Sequence, residues 1–323
     1  MTEDPASISN EFKVSVITPV YNAAEFVTRA VESALAQPET GEVLLIEDGS
    51  PDDSLAVCRQ LAAKYEKVRL LQHPGGGNRG AGASRNLGMK NAHHEYIAFV
   101  DADNFYLPER FQVTKETFKQ NPDCEGVYEA IGIYVENDKA LERWVKSKRQ
   151  SVDTLVTLNT IIDPSQLGPT LIVGKCGSLT LDGLVLKKYV IEKSGLMNPE
   201  LHLHQDTDFL IKSALIARLY PGSLDAPVAM EGVHEHNRFS APRSQAQIYS
   251  DRMAYWLSLY HWAQKNASRE VQRMILDSII SFTKAHKYFK NFPRQYFPTR
   301  LIWFTRLFRL LRYPQVLKHV LVK

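Results

Sequence analysis

The 323 residues are 44% hydrophobic and 23% charged, an ordinary balance for a folded chain long enough for one large α/β domain with an appendage. The net charge of +3 hides an asymmetry, because Lys284 to Lys323 holds ten Lys and Arg and no Asp or Glu, leaving the rest of the chain net acidic. No run of about 18 uncharged apolar residues predicts a membrane span. Met1 to Asn10 has neither the basic nor the apolar region of a secretory signal, and Cys58, Cys124 and Cys176 form neither metal-ligand spacing nor an even disulfide framework. Buried structural thiols in a reducing cytoplasm are expected.

In chain order, the β-branched run Val14 to Val20 predicts a strand, and the apolar spacing of Phe26, Val27, Ala30, Val31, Ala34 and Leu35 predicts a helix over Ala24 to Gln37. A second strand over Glu42 to Glu47 ends at Asp48-Gly49-Ser50-Pro51. A helix capped by Asp52 or Asp53 and ending near Tyr65 follows, then a third strand over Val68 to Leu71. Gly75 to Gly82 reads as a loop, Ala83 to Ala92 as a small-residue helix, and Tyr96 to Val100 as a fourth strand. Short apolar strands alternating with helices imply a parallel sheet covered on both faces. Pro108 to Gln120 predicts a helix and Gly126 to Val135 one longer strand. The pattern loosens from Glu136 to Gly177, an acceptor-facing excursion with a short helix at Asp153 to Leu158. A strand over Ser178 to Leu186, a helix over Lys187 to Lys193, a loop to His204, a helix over Asp206 to Arg218 and an extended Val228 to His236 complete this part. Helices over Ser244 to Gln264, Ser268 to Phe289 and Thr299 to Arg312 follow. No internal repeat is present.

The fourth strand delivers Asp101 and Asp103 to its carboxyl end, the rim where open α/β sheets bind ligands. Two carboxylates beside a diphosphate need a divalent cation between them, and oxygen donors suit Mg²⁺ or Mn²⁺; an acidic helix-capping turn is the duller reading. Asp48 shares that rim and can accept from a nucleobase N–H or a ribose hydroxyl, or can serve as an Asx turn. Gly75, Gly77 and Gly80 satisfy the dinucleotide-binding spacing, but they follow the third strand instead of the first. A loop letting Arg85 and backbone N–H groups approach a diphosphate explains them better. Asp206 opens a helix, where an ionised carboxylate is stabilised as a cap or as a general base. His234 and His236 lie on one face of an extended segment. The last predicted helix sets Trp303, Phe304, Leu307, Phe308, Leu310 and Leu311 against Arg306, Arg309 and Arg312, an interfacial membrane anchor or a face that docks on the protein itself or on a second subunit. No nucleic-acid-reading module accompanies the charge.

Taken together, VSVITPVYN (Val14 to Asn22), IEDGSPDDS (Ile46 to Ser54), GAGASRNLGMKNA (Gly80 to Ala92) and YIAFVDADN (Tyr96 to Asn104) resemble glycosyltransferase family 2 over the first 120 residues or so. SGLMNPELHLHQDTDF (Ser194 to Phe209) and HEHNRFS (His234 to Ser240) follow in the family's order. The resemblance implies a GT-A fold, a mostly parallel Rossmann-like sheet flanked by helices, over residues 1–240, with a nucleotide-binding half at about 12–120 and an acceptor half at about 121–240. Residues 241–323 then form a helical C-terminal extension. It also implies inverting transfer from a nucleoside diphosphate sugar to a hydroxyl acceptor. UDP is the default nucleotide because Asp48 can accept from the uracil N–H, and the membrane-anchor reading of the tail suits a glycan or lipid-linked acceptor in envelope polysaccharide synthesis at the inner face of the membrane. By position, Pro19, Tyr21 and Asp48 hold the base, Arg85 lies near the nucleotide, Asp101 meets the ribose or metal shell, and Asp103 and His236 serve the Mn²⁺ or Mg²⁺. Asp206 is the base, and Gln205 stands where an acceptor-contacting Glu is usual. Asn104 replaces a further Asp. The competing readings are a nicotinamide-dependent oxidoreductase built on the Gly75 to Gly80 loop and a nucleotide-sugar-binding protein without turnover.

Overall fold

The computed structural model describes residues 11–146, 151–235, 237 and 244–285. Strands β1 (Val14–Val20), β2 (Thr40–Glu47), β3 (Val68–Gln72) and β4 (Tyr96–Phe99) alternate with helices α1 (Val27–Leu35), α2 (Ser54–Lys64) and α3 (Ala81–Asn91). The strands pair in parallel in the order β3-β2-β1-β4. Since β2 and β4 flank β1 on opposite sides, the chain reverses direction across the sheet at β1, and the rim above β1 and β4 is the topological switch point.

Side-chain alternation divides these strands between two cores. Ile17, Leu44, Ile46, Ile97 and Phe99 pack on one face, while Val14, Val16, Val43, Leu45 and Ala98 pack on the other. A Cβ added at Gly88 would come within 2.6 Å of Ile17 and 2.9 Å of Ile46. The small residues of α3 therefore let that helix lie directly on β1 and β2. Cys58 and Cys124 are buried and their thiols are pushed up to about 12 by burial, as structural thiols should be; Cys176 is only half-buried.

The second half comprises β5 (Phe105–Tyr106), α4 (Gln112–Gln120), β6 (Gly126–Tyr128), β7 (Ile131–Val135), α5 (Asp138–Lys146), α6 (Leu167–Val173), β8 (Leu184–Lys187), α7 (Lys188–Ser194), α8 (Gln205–Ile216), β9 (Leu219–Pro221) and β10 (Ala229–Val233). Strand β8 inserts antiparallel between β4 and β6, and β9 closes the seven-stranded sheet alongside β6. A second sheet, β5-β10-β7, shares no strand with it but packs into the same core as Val16 and Ala98 through Tyr106, Ile131 and Ala229. Helices α9 (Gln245–Asn266) and α10 (Arg269–Ala285) share an apolar cluster with α6 and α8 through Ile172, Ile211, Leu259, Tyr260, Ile275 and Ile279. Among the described residues no helix is long and apolar enough to cross a membrane. The predicted tail helix and His236 lie outside the described residues.

The structure corrects four expectations. The predicted strand over Gly126 to Val135 is two strands in two sheets, divided at Glu129, whose carboxylate is buried against Arg110 at 2.5 Å and Thr114 at 2.6 Å. No helix forms at Asp153 to Leu158, where Val156 and Leu158 bridge to Ile131 and Gly177 instead. Helices α5 and α6 occupy the excursion, α5 being so polar that only Ala140 and Trp144 are buried. The predicted strand over Ser178 to Leu186 begins only at Leu184, because Asp182 and Gly183 form a turn.

Arg110 and Glu129 are both fully buried, and the guanidinium also donates to the Asp182 carbonyl at 3.0 Å. Removing one member of a buried pair strands the other charge. Glu129→Ala should therefore lower unfolding free energy by about 3–5 kcal/mol in urea titration, and Arg110→Leu combined with Glu129→Leu by less than the sum of the single changes.

Candidate active site

The carboxyl ends of β1, β2 and β4 converge through loops that hold one another. After β1, Tyr21 is largely exposed and Pro19 half-buried. The N–H groups of Asn22 and Ala24 then donate to Ser50 and Asp52 of the loop after β2, and that of Ala23 to Ser54 at the start of α2. Asn22 has a positive φ of 53°, as does His204 at 63° just before Gln205 and Asp206. Non-glycine residues in this region are uncommon and gather where a fold positions functional groups.

Asp48 is buried, and its two carboxylate oxygens accept from the backbone N–H groups of Arg79 at 2.7 Å and Gly80 at 2.8 Å. The glycine loop thus folds down onto Asp48. A Cβ at Gly49, whose φ is +68°, would meet Asn78 N and Gly76 O at 2.8 Å, so only glycine permits that approach. The loop follows β3, the edge strand of the sheet. A dinucleotide fingerprint works at the first strand of the fold, so this location removes the main support for the nicotinamide reading.

Arg85, on the second turn of α3, is buried with its guanidinium bonded to Asp101. Burial opposes its charge, while Asp101, Asp206 and Asp182 together outweigh that and raise its pKa. Asp206, Asp101 and Arg85 thus share one electrostatic neighbourhood despite their separation in sequence. Asp206 is exposed, with Oδ1 accepting the Thr207 N–H at 2.7 Å. Gln205 is buried against α3, its side chain 3.1 Å from where a Cβ on Gly82 would lie. It braces α8 on α3.

Asp103 is partly exposed, and its Oδ2 lies 3.2 Å from both His234 Nε2 and Asn237 Nδ2. The His234 ring packs on Phe26 at 4.3 Å. Arg29, stacked over Phe105 and Tyr134 and paired with Glu136, donates to the Asp103 carbonyl at 3.3 Å. Among the described residues no group of three His, Cys, Asp or Glu forms a ready metal cage. A carboxylate oriented by an imidazole and an amide nitrogen, next to a second carboxylate, nevertheless suits Mn²⁺ or Mg²⁺, which take one or two carboxylates and complete their shell with water and phosphate oxygens.

Sequence reasoning missed Asp182, His234 as the ring beside Asp103, and Asn237. The H-x-H pair signalled the histidine; nothing local marks Asp182. This buried carboxyl accepts the Asp101 N–H at 2.9 Å and a bond from the Asn104 amide, while Asn104 Oδ1 accepts the Gly232 N–H at 2.9 Å. A neutral Asn at 104 therefore bridges the Asp101 to Asp103 turn to Asp182, where another carboxylate would face Asp182 unscreened. Burial first, and the Asp101 charge second, push the Asp182 carboxyl up to about 7.

Residues 15–165 match the Glycosyl transferase family 2 model. An uncharacterized glycosyltransferase, alr2836, of Nostoc sp. is 35% identical over 133 residues, 41% of this chain and 40% of that protein. The succinoglycan biosynthesis protein ExoU of Rhizobium meliloti is 40% identical over 97 residues, 30% of this chain and 28% of its own length. The chain thus spans less than half the length of these curated relatives. S. aureus TarS 1-349 in complex with UDP-GlcNAc superposes with a TM-score of 0.62 at 18% identity, covering 89% of this chain and 78% of that one. That likeness is one of fold, and the mostly parallel sheet with its helical layers is the GT-A arrangement.

The Asp182 carboxyl keeps its proton in the folded state to about pH 7, whereas the unfolded chain releases it near 3.8. The native state binds the extra proton between those values, so this group makes stability fall as pH rises through that window. Asp182→Asn should flatten the pH dependence of urea unfolding there. On β10, facing the Asp101 to Asn104 turn, Gly232→Ala would drive a Cβ to 2.1 Å from the Asp103 carbonyl oxygen. That variant should lower unfolding free energy in urea titration while far-ultraviolet circular dichroism stays native.

Proposed function

We propose that this chain, whose residues 15–165 match the Glycosyl transferase family 2 model, transfers a sugar with inversion from a UDP-sugar to a glycan or lipid-linked hydroxyl in cell-envelope polysaccharide synthesis. The observation that carries the reading is the ion pair of Asp101 with the buried Arg85 at the carboxyl rim of the sheet, with Asp206 and Asp182 acting on the same guanidinium. A nicotinamide enzyme gives Asp103 and Asp206 no task. A binding protein without turnover gives none to Asp206.

In this mechanism Asp206 accepts the proton of the acceptor hydroxyl as its oxygen attacks the anomeric carbon. The bond from that carbon to the diphosphate oxygen breaks on the opposite face. Arg85 would offset charge on the departing diphosphate, Asp103, turned by His234 and Asn237, would hold the metal, and Asp101, paired with Arg85, would meet the ribose or the metal shell. A divalent metal there acts as a Lewis acid toward the diphosphate. Tyr21 and Pro19 would frame the base, with Asp48 accepting the uracil N–H. Both Asp48 oxygens already accept from Arg79 and Gly80, so that role requires the second lone pair of an oxygen or a shift of the loop. The relative in succinoglycan biosynthesis and the UDP-GlcNAc complex of TarS support the polysaccharide and UDP parts of this reading. The basic tail beyond Lys284 would bring the enzyme to an anionic membrane surface from the cytoplasm.

A thermal-shift panel of UDP, GDP, dTDP, CDP and NAD, each with and without Mn²⁺, tests the donor. UDP with Mn²⁺ at 100 times its dissociation constant should add about 2.7 kcal/mol of stability, and a shift with NAD alone would overturn the reading. Asp206→Asn should lower transfer by about 10² to 10⁴ while the UDP shift persists. Wild-type turnover in that variant would remove Asp206 from the mechanism.

A further inference from the structure

A cavity of about 380 Å³ lies between the first turn of α8, the end of α6 and the helices α9 and α10. That size falls in the range of small-ligand sites, and every residue lining it lies beyond the family match at 15–165. His204 and Thr207, the residues on either side of the Gln205-Asp206 pair, line it. Residues two apart on a helix diverge by about 200°. Gln205 turns to α3, so Thr207 turns away from the nucleotide side and into the cavity. Asp206 stands between, close enough to Arg85 on one side to act on its charge.

The walls carry the chemistry of sugar recognition. Tyr255 and Trp256 present two rings 4.7 Å apart, and His204 lies 5.8 Å from Tyr255. Thr207 and Ser278 supply hydroxyls. A pyranose has apolar C–H faces that stack on rings and hydroxyl edges that exchange hydrogen bonds. Arg252, exposed at the cavity, makes no ion pair among the described residues. A cation beside an aromatic pocket favours an anionic ligand.

We propose that this cavity is the acceptor subsite and takes a sugar ring carrying a carboxylate or phosphate, an assignment that rests on the glycosyltransferase reading with Asp206 as base. Ring stacking on Trp256 orients the acceptor, and Arg252 selects for its charge.

The test is saturation-transfer NMR on the full chain with three probes: methyl β-glucuronide, glucose 6-phosphate and methyl β-glucoside. The UDP thermal shift is measured in parallel. An anionic probe should bind more tightly than the neutral one, the two anions distinguishing a carboxylate from a phosphate. Trp256→Ala should weaken it about tenfold, and Arg252→Gln, a surface change that leaves the fold intact, should abolish the preference for charge. The UDP shift should be unchanged in both variants. Binding by none of the probes, or an affinity and charge preference untouched in Arg252→Gln, would overturn the proposal. A wild-type chain that binds the anionic sugar but shows no UDP shift would overturn the acceptor assignment and leave a sugar site unconnected to transfer.

Discussion

The buried pair of Arg110 and Glu129 is the constraint on which the second half of the molecule depends. Two fully buried charges are costly unless their remaining hydrogen-bonding capacity is met. Here Glu129 also accepts from Thr114 and from the Ser223 N–H, while Arg110 donates to the Asp182 carbonyl. The pair sits where the chain leaves the seven-stranded sheet and enters the smaller one, so it fixes that change of sheet. Through the Asp182 backbone it also fixes a side chain that receives the Asp101 N–H and the Asn104 amide. A structural ion pair is thereby one residue removed from the acidic turn of the site.

The first hundred residues were legible because each element satisfies a single local rule. Alternation in β1 and β2 and the helical spacing of α1 agree with their neighbours' burial, so pattern and structure coincide. Beyond Pro108 the deciding forces are distant. The break at Glu129 comes from a charge on another element, β9 has three residues and so too few for a period, and Leu158 enters the main core from an irregular segment. The site divides in the same way. Asp48, Arg85, Asp101, Asp103 and Asp206 stand in short motifs at strand or helix ends, where residue type and position speak together. Asp182 is a lone carboxylate in a turn, and its meaning comes only from Asp101 and Asn104 brought beside it.

Helix α3 links the two halves more directly than any loop. Its Gly88 lies on β1 and β2, and its Gly82 lies against Gln205 at the start of α8. Arg85 projects between those contacts to Asp101. The spacing between the carboxyl rim of the sheet and the proposed base is therefore set by the thickness of one helix whose two bearing points are glycines, a rigid gauge and not a hinge.

The antiparallel insertion of β8 between β4 and β6 has a consequence for how the chain is made. Strands β1 to β4 leave the ribosome first and can pair among themselves, but one edge of β4 lacks its partner until Leu184–Lys187 has been synthesised. Strand β6 emerges earlier yet borders only β8 and β9, both still unmade. An unpaired edge of the sequence YIAF is a template for wrong strand pairing. Vectorial synthesis thus leaves a half-finished sheet exposed for the time it takes to translate everything from α4 through the Asp182 turn. The fold closes from the middle outward, with its last central strand serving as the latch.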